Sequence, residues 1–418
     1  MQRLSRLEGT GGYMKGSPDD FIVEEIAPSG TVLEIGRRYS ADELGMAASA
    51  DGRFSTFVLQ KRGWNTIQAL RAVAKKLGRG FRSAGFAGTK DRTAVSTQLC
   101  SVFGAGPEAL LAMHIKDIAI NGAWRSDEPV RIGYLAGNRF TITVRDAMKP
   151  GAAKAVDEEL CGVFPNYFGE QRFGARKNNF EIGLAMLKGD LEDATMRFLT
   201  DTGNETNADA VAARGRLRDE MDFDAALGYF PKHLKYERLV LDRLALIPND
   251  YCGALRRLPR QLLLMFVHSV ESQLFNDELE LRVKGRELGP LPADRVCGAN
   301  ALGFPDMSKI VTAQTAQQGM RFIVGNMIGY GTERINETES GMLDELGLST
   351  ESFRMKAMPE LNMKGAVRVL FAPYTNLSLK PGVDDTLGFS FSLPPGSYAS
   401  VLMEEFVGNG VRGPTKTL

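Results

Sequence analysis

Residues 87–98 read AGTKDRTAVSTQ, a tight polar loop that leads into a strand of alternating residues. Gly88 permits a turn that ordinary residues resist. Asp91 stands between Lys90 and Arg92, and these two cations favour its ionised form. A carboxylate repels phosphate, so a lone acid in a basic stretch indicates a chemical role. The alternative is a structural role, in which Asp91 pairs with a nearby base and orders the loop.

Charge is unevenly distributed around this loop, although the chain as a whole has a formal net charge of zero. Residues 53–92 contain ten basic side chains and one acid, Asp91, whereas 190–224 and 333–351 are rich in Asp and Glu. This distribution is typical of a protein with one face that binds a polyanion. A solvated basic helix without a partner explains the same charges. The ten basic residues are Arg53, Lys61, Arg62, Arg71, Lys75, Lys76, Arg79, Arg82, Lys90 and Arg92.

Hydrophobic periodicity predicts an α/β beginning, a helical middle and a β ending. Residues 54–60 and 139–145 alternate as strands do, and Asn65 is placed to cap the helix that follows the first of them. Residues 180–283 follow a mostly helical pattern. Residues 387–406 indicate two strands around a Pro-Pro-Gly-Ser turn. Together these patterns predict one discontinuous domain into which a second domain is inserted.

Composition excludes several classes of protein. With 43% hydrophobic and 24% charged residues, the chain is neither disordered nor membrane-embedded in character. It has no uninterrupted apolar run of the roughly 20 residues that a bilayer requires. The N-terminus lacks the apolar core of a signal peptide, so we expect a cytoplasmic protein. The four cysteines and three histidines are scattered without the paired spacing of a zinc site, and we expect no metal.

The loop sequence GTKDR-x-AV-x-TQ resembles the nucleophile-bearing motif of the TruD family of pseudouridine synthases. Five further segments resemble elements of that family in the same order, so the resemblance spans nearly the whole chain. These segments are 15–25 (K-x-x-P-x-DF-x-V-x-E), 61–66 (K-x-G-x-NT), 137–140 (GN-x-F), 166–174 (NYFG-x-QRFG) and 395–400 (PGSYAS, where the family has PGSYAT).

The resemblance implies roles for individual residues. Asp91 is implied to be the catalytic carboxylate, Phe168 to stack on the target base, and Asn166 to lie beside Asp91. Lys15 and Phe21 are implied to line the pocket, and Lys15 to balance the charge of Asp91. We expect further substrate contacts from Lys90, Arg92, Gln171 and Arg172, and phosphate contacts from Arg176, Lys177 and the basic residues of 53–92.

The resemblance also implies an activity and a fold. The activity is isomerisation of uridine to pseudouridine in tRNA, at position 13, by an aspartate that acts as nucleophile or base on a flipped-out nucleotide. Because bonds are exchanged within the substrate, we expect no cofactor. The implied fold is α/β (α+β), with a discontinuous catalytic domain at 1–180 and 361–418 built on a mixed, largely antiparallel sheet. A TruD-specific domain is inserted at 181–360. The sequence does not predict an oligomeric state.

Two other functions are alternatives to this one. A non-catalytic RNA-binding or tRNA-folding protein would keep the same basic cleft, but it would not need the acid of Lys90-Asp91-Arg92. A metal-dependent nuclease needs clustered carboxylates, and the sequence places none beside Asp91.

Overall fold

A computed structural model describes residues 1–317 and 319–408 of the chain. Its strands, in chain order, are β1 (Phe21–Ile26), β2 (Phe54–Arg62), β3 (Ala84–Phe86), β4 (Val95–Phe103), β5 (Ile118–Ser126), β6 (Gly137–Val144), β7 (Val163–Pro165), β8 (Arg295–Ala299), β9 (Pro305–Thr312), β10 (Phe322–Met327), β11 (Ala366–Val369), β12 (Phe371–Pro373), β13 (Thr375–Pro381) and β14 (Leu387–Leu393).

The helices concentrate in the middle of the chain. They are α1 (Thr66–Lys76), α2 (Pro107–Leu111), α3 (Ala152–Leu160), α4 (Asn179–Lys188), α5 (Leu191–Thr200), α6 (Ala208–Glu220), α7 (Phe223–Tyr229), α8 (Lys235–Leu246), α9 (Tyr251–Leu255), α10 (Arg260–Gly285), α11 (Glu337–Leu346) and α12 (Ala399–Val407). Among the described residues, none of these helices combines the length and the apolar character that crossing a bilayer requires.

The largest sheet follows the order β13-β14-β6-β1-β4-β2-β5, and β3 pairs with β4 beside this path. Strands β1 and β4 run parallel, with Ile22 opposite Val95, whereas the other neighbouring strands of this sheet run antiparallel. The expected mixed, largely antiparallel sheet is therefore confirmed.

The centre of this sheet is covered on both faces. Every residue of β4 from Val95 to Val102 is buried. On one face, α1 packs through Leu70 and Val73 against Phe57 of β2. On the other face, residues of the 27–44 segment cover the sheet. A polar side chain on a buried position of β1, β2 or β4 is therefore enclosed, and it needs a partner inside the protein.

The C-terminal strands join the N-terminal ones in this sheet. Strand β14 pairs with β6 from Leu387, opposite Val144, to Leu393, opposite Asn138. Helices α4–α11 and a smaller sheet, in the order β11-β10-β8-β9, lie between these two parts of the chain. Strand β11 completes the smaller sheet although it follows residue 361, so the predicted boundary at 360/361 separates strands of one sheet. The domain boundaries stay a prediction.

Two larger hydrophobic cores support the remaining elements, in addition to the two clusters that cover the centre of the sheet. The first unites the large sheet with α3, α12 and the C-terminal part of α10, and it includes Phe21, Phe168 and Phe275. The second is formed mainly by α4–α10 and by residues up to Met363. Because α10 contributes to both cores, it is the element that connects the helical region to the sheet.

One predicted strand is wrong. The residues after the Pro-Pro-Gly-Ser turn form helix α12 rather than a second strand. Nearly all of this helix is buried, including Val401, Leu402, Met403 and Phe406. A short apolar run that is enclosed on every side lacks the polar face that reveals a helical period, so periodicity alone does not separate it from a strand.

Candidate active site

Asp91 lies on an irregular loop, residues 87–94, that connects β3 to β4. Its side chain is 48% exposed. The residues immediately after the loop are buried in the centre of the sheet. The loop therefore presents a carboxylate to solvent at the end of a rigid strand, which is an arrangement suited to a reacting group.

A buried lysine supports this loop from below. Lys61, near the end of β2, has an exposed fraction of 0%. Its Nζ donates to the main-chain oxygen of Trp64 at 2.6 Å and to that of Asp91 at 3.0 Å. Burial lowers the pKa of Lys61 to about 8, with the neighbouring ammonium of Lys90 as a further cause.

Two polar side chains fix the other end of the loop. The Thr66 hydroxyl, at the start of α1, accepts from the main-chain N–H of Lys90 and donates to Gln98 Oε1, both at 2.8 Å. Gln98 Nε2 in turn donates to the main-chain oxygen of Gly88 at 2.9 Å. These three supporting side chains, from Lys61, Thr66 and Gln98, lie in the segments 61–66 and 87–98.

Lys90 does not occupy the position expected of a substrate contact. It is 7% exposed, and its Nζ lies 3.0 Å from Glu25 Oε2 on β1. Glu25 is completely buried, and its Oε1 accepts from the main-chain N–H of Leu99. Burial raises the pKa of Glu25, and the charge of Lys90 opposes this rise. In this structure the Lys90 ammonium therefore neutralises a buried carboxylate and anchors the loop, and its contact with substrate stays a prediction.

Lys15 is the cation that reaches the carboxylate of Asp91. Its Nζ lies 3.5 Å from Asp91 Oδ2 and 4.5 Å from the centre of the Phe21 ring. Phe21 is 5% exposed and meets Phe140 edge-on. Lys15 has a φ of 63°, in the left-handed region that is unusual for lysine. The structure thus brings Asp91, Lys15 and Phe21 together, with a strained residue among them.

Arg92 and the remaining basic residues of 53–92 differ in availability. Arg92 is exposed, and its Nε donates to the main-chain oxygen of Gly63. Arg62 pairs with Asp19, and Arg79 donates to the carbonyl of Gly104. The basic residues that remain largely open to solvent, besides Arg92, are Arg53, Arg71, Lys75, Lys76 and Arg82.

The segment 166–174 forms a second polar and aromatic group. Asn166 is 2% exposed, donates to the main-chain oxygen of Val369 and accepts from Arg368 Nη2 at 2.6 Å. Asn276 of α10 makes two hydrogen bonds with the main chain of Phe168: its Oδ1 accepts from the N–H, and its Nδ2 donates to the carbonyl. The main chain of this segment is therefore held by side chains from β11 and α10.

The Phe168 ring lies among cations and aromatic rings. The guanidinium of Arg368 is 4.2 Å from the ring centre and that of Arg172 is 5.1 Å away. Phe275 and Tyr398 meet the ring edge-on. Phe168 is 6% exposed, so only a small part of the ring faces solvent. Burial lowers the pKa of Arg368 to about 10.

The other residues predicted to contact substrate, in this segment and just after it, differ in their exposure. Gln171 is exposed and Arg172 is half-buried, both on a single turn of 3-10 helix, Glu170–Phe173. Arg176 donates to the carbonyls of Phe198 and Asp201, at the end of α5. A phosphate contact by Arg176 stays a prediction.

Sequence reasoning missed several of the supporting residues, although period-2 patterning contained a signal for two of them. Glu25 follows Phe21 and Val23 on one face of β1, and Lys61 follows Phe57 and Leu59 on one face of β2. Each charged residue therefore falls on the buried face of its strand. Arg368 and Asn276 gave no comparable signal, because their partners are distant in sequence.

In residues 1–317 and 319–408, no group of three or more His, Cys, Asp and Glu side chains is arranged to hold a metal ion. The structure offers a half-exposed carboxylate at Asp91 with the ammonium of Lys15 beside it, and an aromatic ring at Phe168 with the guanidinium groups of Arg172 and Arg368 beside it.

Comparisons with known proteins relate this chain to one family. A family model described as tRNA pseudouridine synthase D (TruD) matches residues 2–406. A protein of Methanosarcina acetivorans named Probable tRNA pseudouridine synthase D is 33% identical over 432 residues, covering 96% of this chain and 94% of that one. One of the same name from Methanopyrus kandleri is 36% identical over 367 residues, covering 86% of each. A TruD crystal structure from Methanosarcina mazei superposes with a TM-score of 0.75 at 30% identity, covering 97% of this chain and 96% of that one.

Proposed function

Because the chain belongs to the TruD family of tRNA pseudouridine synthases, we propose that it isomerises uridine 13 of tRNA to pseudouridine, with Asp91 as the catalytic carboxylate. The observation that carries this proposal is the placement of Asp91. Its side chain is 48% exposed, while buried groups fix the loop on both sides of it. A loop whose only purpose was to bind phosphate would not hold an acid forward in this way.

The reaction exchanges one bond to the sugar for another. The bond from N1 of uracil to C1′ breaks, the base rotates, and C5 joins C1′. C5 loses its hydrogen and N1 gains one, so the atoms balance without a redox partner. Asp91 supports this chemistry by attacking C1′, by stabilising a positively charged sugar, or by removing the C2′ proton. All three roles require an ionised oxygen at the same place.

Lys15 stabilises the negative charge on that oxygen before substrate arrives. Its ammonium is 29% exposed and lies 3.5 Å from Asp91 Oδ2. The ammonium thus places a positive charge beside the oxygen that reacts. Lys15 also lies over the ring of Phe21, so this ring helps to hold the ammonium beside Asp91, where an approaching ribose meets it.

A uridine inside folded RNA is not accessible to Asp91, and we propose that it flips into the pocket. Phe168 then stacks on the base, which offsets the loss of stacking in the RNA by about 1–3 kcal/mol. Four hydrogen bonds to Asn166 and Gly396 fix Arg368 over Phe168. Arg172 holds no comparable set of bonds among the described residues, so we propose that the base displaces the Arg172 guanidinium.

The exposed basic residues hold the RNA in this proposal. Lys75 and Lys76 lie in the last turn of α1, whose first turn contacts the catalytic loop through Thr66. An 11-residue helix is about 16 Å long, so these ammonium groups lie well outside the pocket. They are placed to contact phosphates that flank the target uridine. The segment 181–360 is proposed as the inserted domain that faces the catalytic domain across the RNA.

The position of the target is tested by mapping pseudouridine in tRNA treated with the purified protein. We expect pseudouridine at position 13 of a transcript that carries uridine there, and none in a transcript with cytidine 13. Pseudouridine at another position would retain the chemistry and overturn the assignment of the target. No pseudouridine in any tRNA would overturn the proposed function itself.

A further inference from the structure

Lys61 has a feature that the proposed chemistry leaves unexplained. It is fully buried, and the two groups that accept from its ammonium are neutral main-chain carbonyls, of Trp64 and Asp91. A buried cation bound to neutral groups pays a large desolvation cost. The other buried lysine of the site, Lys90, has a carboxylate partner in Glu25. The cost at Lys61 indicates that its charge serves something other than the fold.

We propose that Lys61 is a positioning residue for the isomerisation, which holds the main chain of Asp91 and places a fixed positive charge beneath the catalytic carboxylate. The proposal rests on the function proposed above and adds a second cation to its active site. Lys61 does not touch the substrate in this account, because it is 0% exposed.

The hydrogen bonds explain how Lys61 positions the carboxylate. The carbonyl that it binds belongs to Asp91 itself, and fixing this carbonyl restricts the ψ rotation that turns the Asp91 side chain. The second bond, to Trp64, connects the catalytic loop to the turn that precedes α1. A carboxylate held in this way keeps its direction when the loop is contacted by RNA.

Of the two cations near Asp91, substrate is able to displace Lys15 but not Lys61. Lys15 approaches from the solvent side and is 29% exposed, so incoming ribose is able to displace it. Lys61 lies on the protein side and cannot be displaced by substrate. After Lys15 moves, Lys61 is the cation that continues to stabilise negative charge on Asp91.

Titration of Lys61 should make this role visible in the pH dependence of catalysis. The groups that face it are Lys90 and Asp91 from the loop, Cys100 from β4, and Glu25 of β1 through its bond to Lys90. Burial and the charge of Lys90 lower the pKa of Lys61 to about 8, against the opposing effects of Asp91 and Cys100. Above this pH the site loses its fixed cation, and catalysis should fall.

The loss of activity will not come from unfolding at Lys61. An unfolded chain keeps its lysine proton up to a pKa near 10.5, whereas the folded chain releases it at about 8. Between these values the unfolded state binds more protons, so this group makes the fold more stable as pH rises. Activity and the stability contribution of Lys61 therefore change in opposite directions.

The test is the pH dependence of single-turnover tritium release from tRNA that carries 5-tritiated uridine, from about pH 6.5 to about pH 9.5. The proteins to compare are the wild type, Lys61→Arg, Lys61→Met and the control Lys15→Arg. The tRNA affinity and the melting temperature of each protein are measured at each pH. We expect an alkaline fall in the wild-type rate with a midpoint at about 8. The fall persists in Lys15→Arg and moves to higher pH in Lys61→Arg, because guanidinium stays charged.

In Lys61→Met we expect the rate at neutral pH to drop by about tenfold or more, with tRNA affinity changed by less than about threefold. A wild-type rate in a folded Lys61→Met protein would overturn the proposal. If that variant does not fold, a wild-type rate that stays constant across the alkaline range would overturn it instead. Absence of any turnover by wild-type protein would overturn the proposed function, and the positioning role with it.

Discussion

Replacement of Lys90 by methionine tests how the catalytic loop is anchored. The substitution keeps the length of the side chain and removes the cation that faces Glu25, which is completely buried. Removing one partner of a buried ion pair destabilises a protein by about 3–5 kcal/mol, because the other charge stays enclosed. For a chain of 418 residues that unfolds as one unit, the unfolding entropy is about 0.9 kcal/mol per kelvin. The expected loss of melting temperature is therefore about 3–6 °C.

The sign of the pH dependence follows from Glu25. Burial already raises its pKa, and loss of Lys90 removes the charge that opposes this rise. A carboxyl with a raised pKa contributes stability below its unfolded pKa, and this stability is lost as pH rises through the folded value. The Lys90→Met protein should therefore lose more stability at pH 8 than at pH 5. Thermal unfolding followed by circular dichroism at the two pH values measures the difference.

The double variant Glu25→Gln/Lys90→Met is the matched control, because it removes both charges. It should recover most of the stability that the single variant loses. If the double variant is no more stable than Lys90→Met, or if the loss is the same at both pH values, the anchoring role of Lys90 is refuted. If stability returns while tRNA affinity stays low, Lys90 contacts the substrate after all.

Two further predictions concern regions outside the loop. Burial and the neighbouring Glu339 raise the pKa of Glu278 to about 7, so ionisation of Glu278 makes the fold less stable as pH rises from about 4.5 to 7. Glu278→Gln should be more stable than wild type at pH 8 by up to about 3 kcal/mol. Equal stability of the two proteins in urea unfolding would contradict this. Lys75→Glu should weaken tRNA binding and reduce its salt dependence by about one phosphate contact. The control Lys154→Glu, on α3, should leave both unchanged. Equal effects of the two substitutions would remove α1 from the RNA-binding surface.

Several elements could be predicted from the sequence because local patterns determine them. Strand β2 and the helix after it follow from alternation and from Asn65, whose side chain accepts from the main-chain N–H of Gln68. The parallel pairing of β1 with β4 did not follow, since register between distant strands depends on the whole sheet. Helix α12 was missed because it is enclosed on nearly every side.

The site was predictable to a similar extent. Motif segments indicated Asp91 and Lys15, and the structure places the two side chains 3.5 Å apart. The basic stretch was a poorer guide, because a charge count does not show which face of a strand a lysine occupies. Lys61, on β2, and Lys90, on the loop before β4, both turn inward, and each finds its partners inside the protein. Arg368 acts on Asn166 across more than 200 residues, a contact that no local pattern contains.

The central claim is that Asp91 carries out the isomerisation. It is tested most directly by tritium release from tRNA that carries 5-tritiated uridine, with wild-type protein and with Asp91→Asn. C5 must lose its hydrogen when it joins the sugar, so release reports turnover. We predict release with the wild type and none with Asp91→Asn, while the variant keeps its affinity for tRNA. Equal release by the two proteins would contradict the account and remove Asp91 from the mechanism.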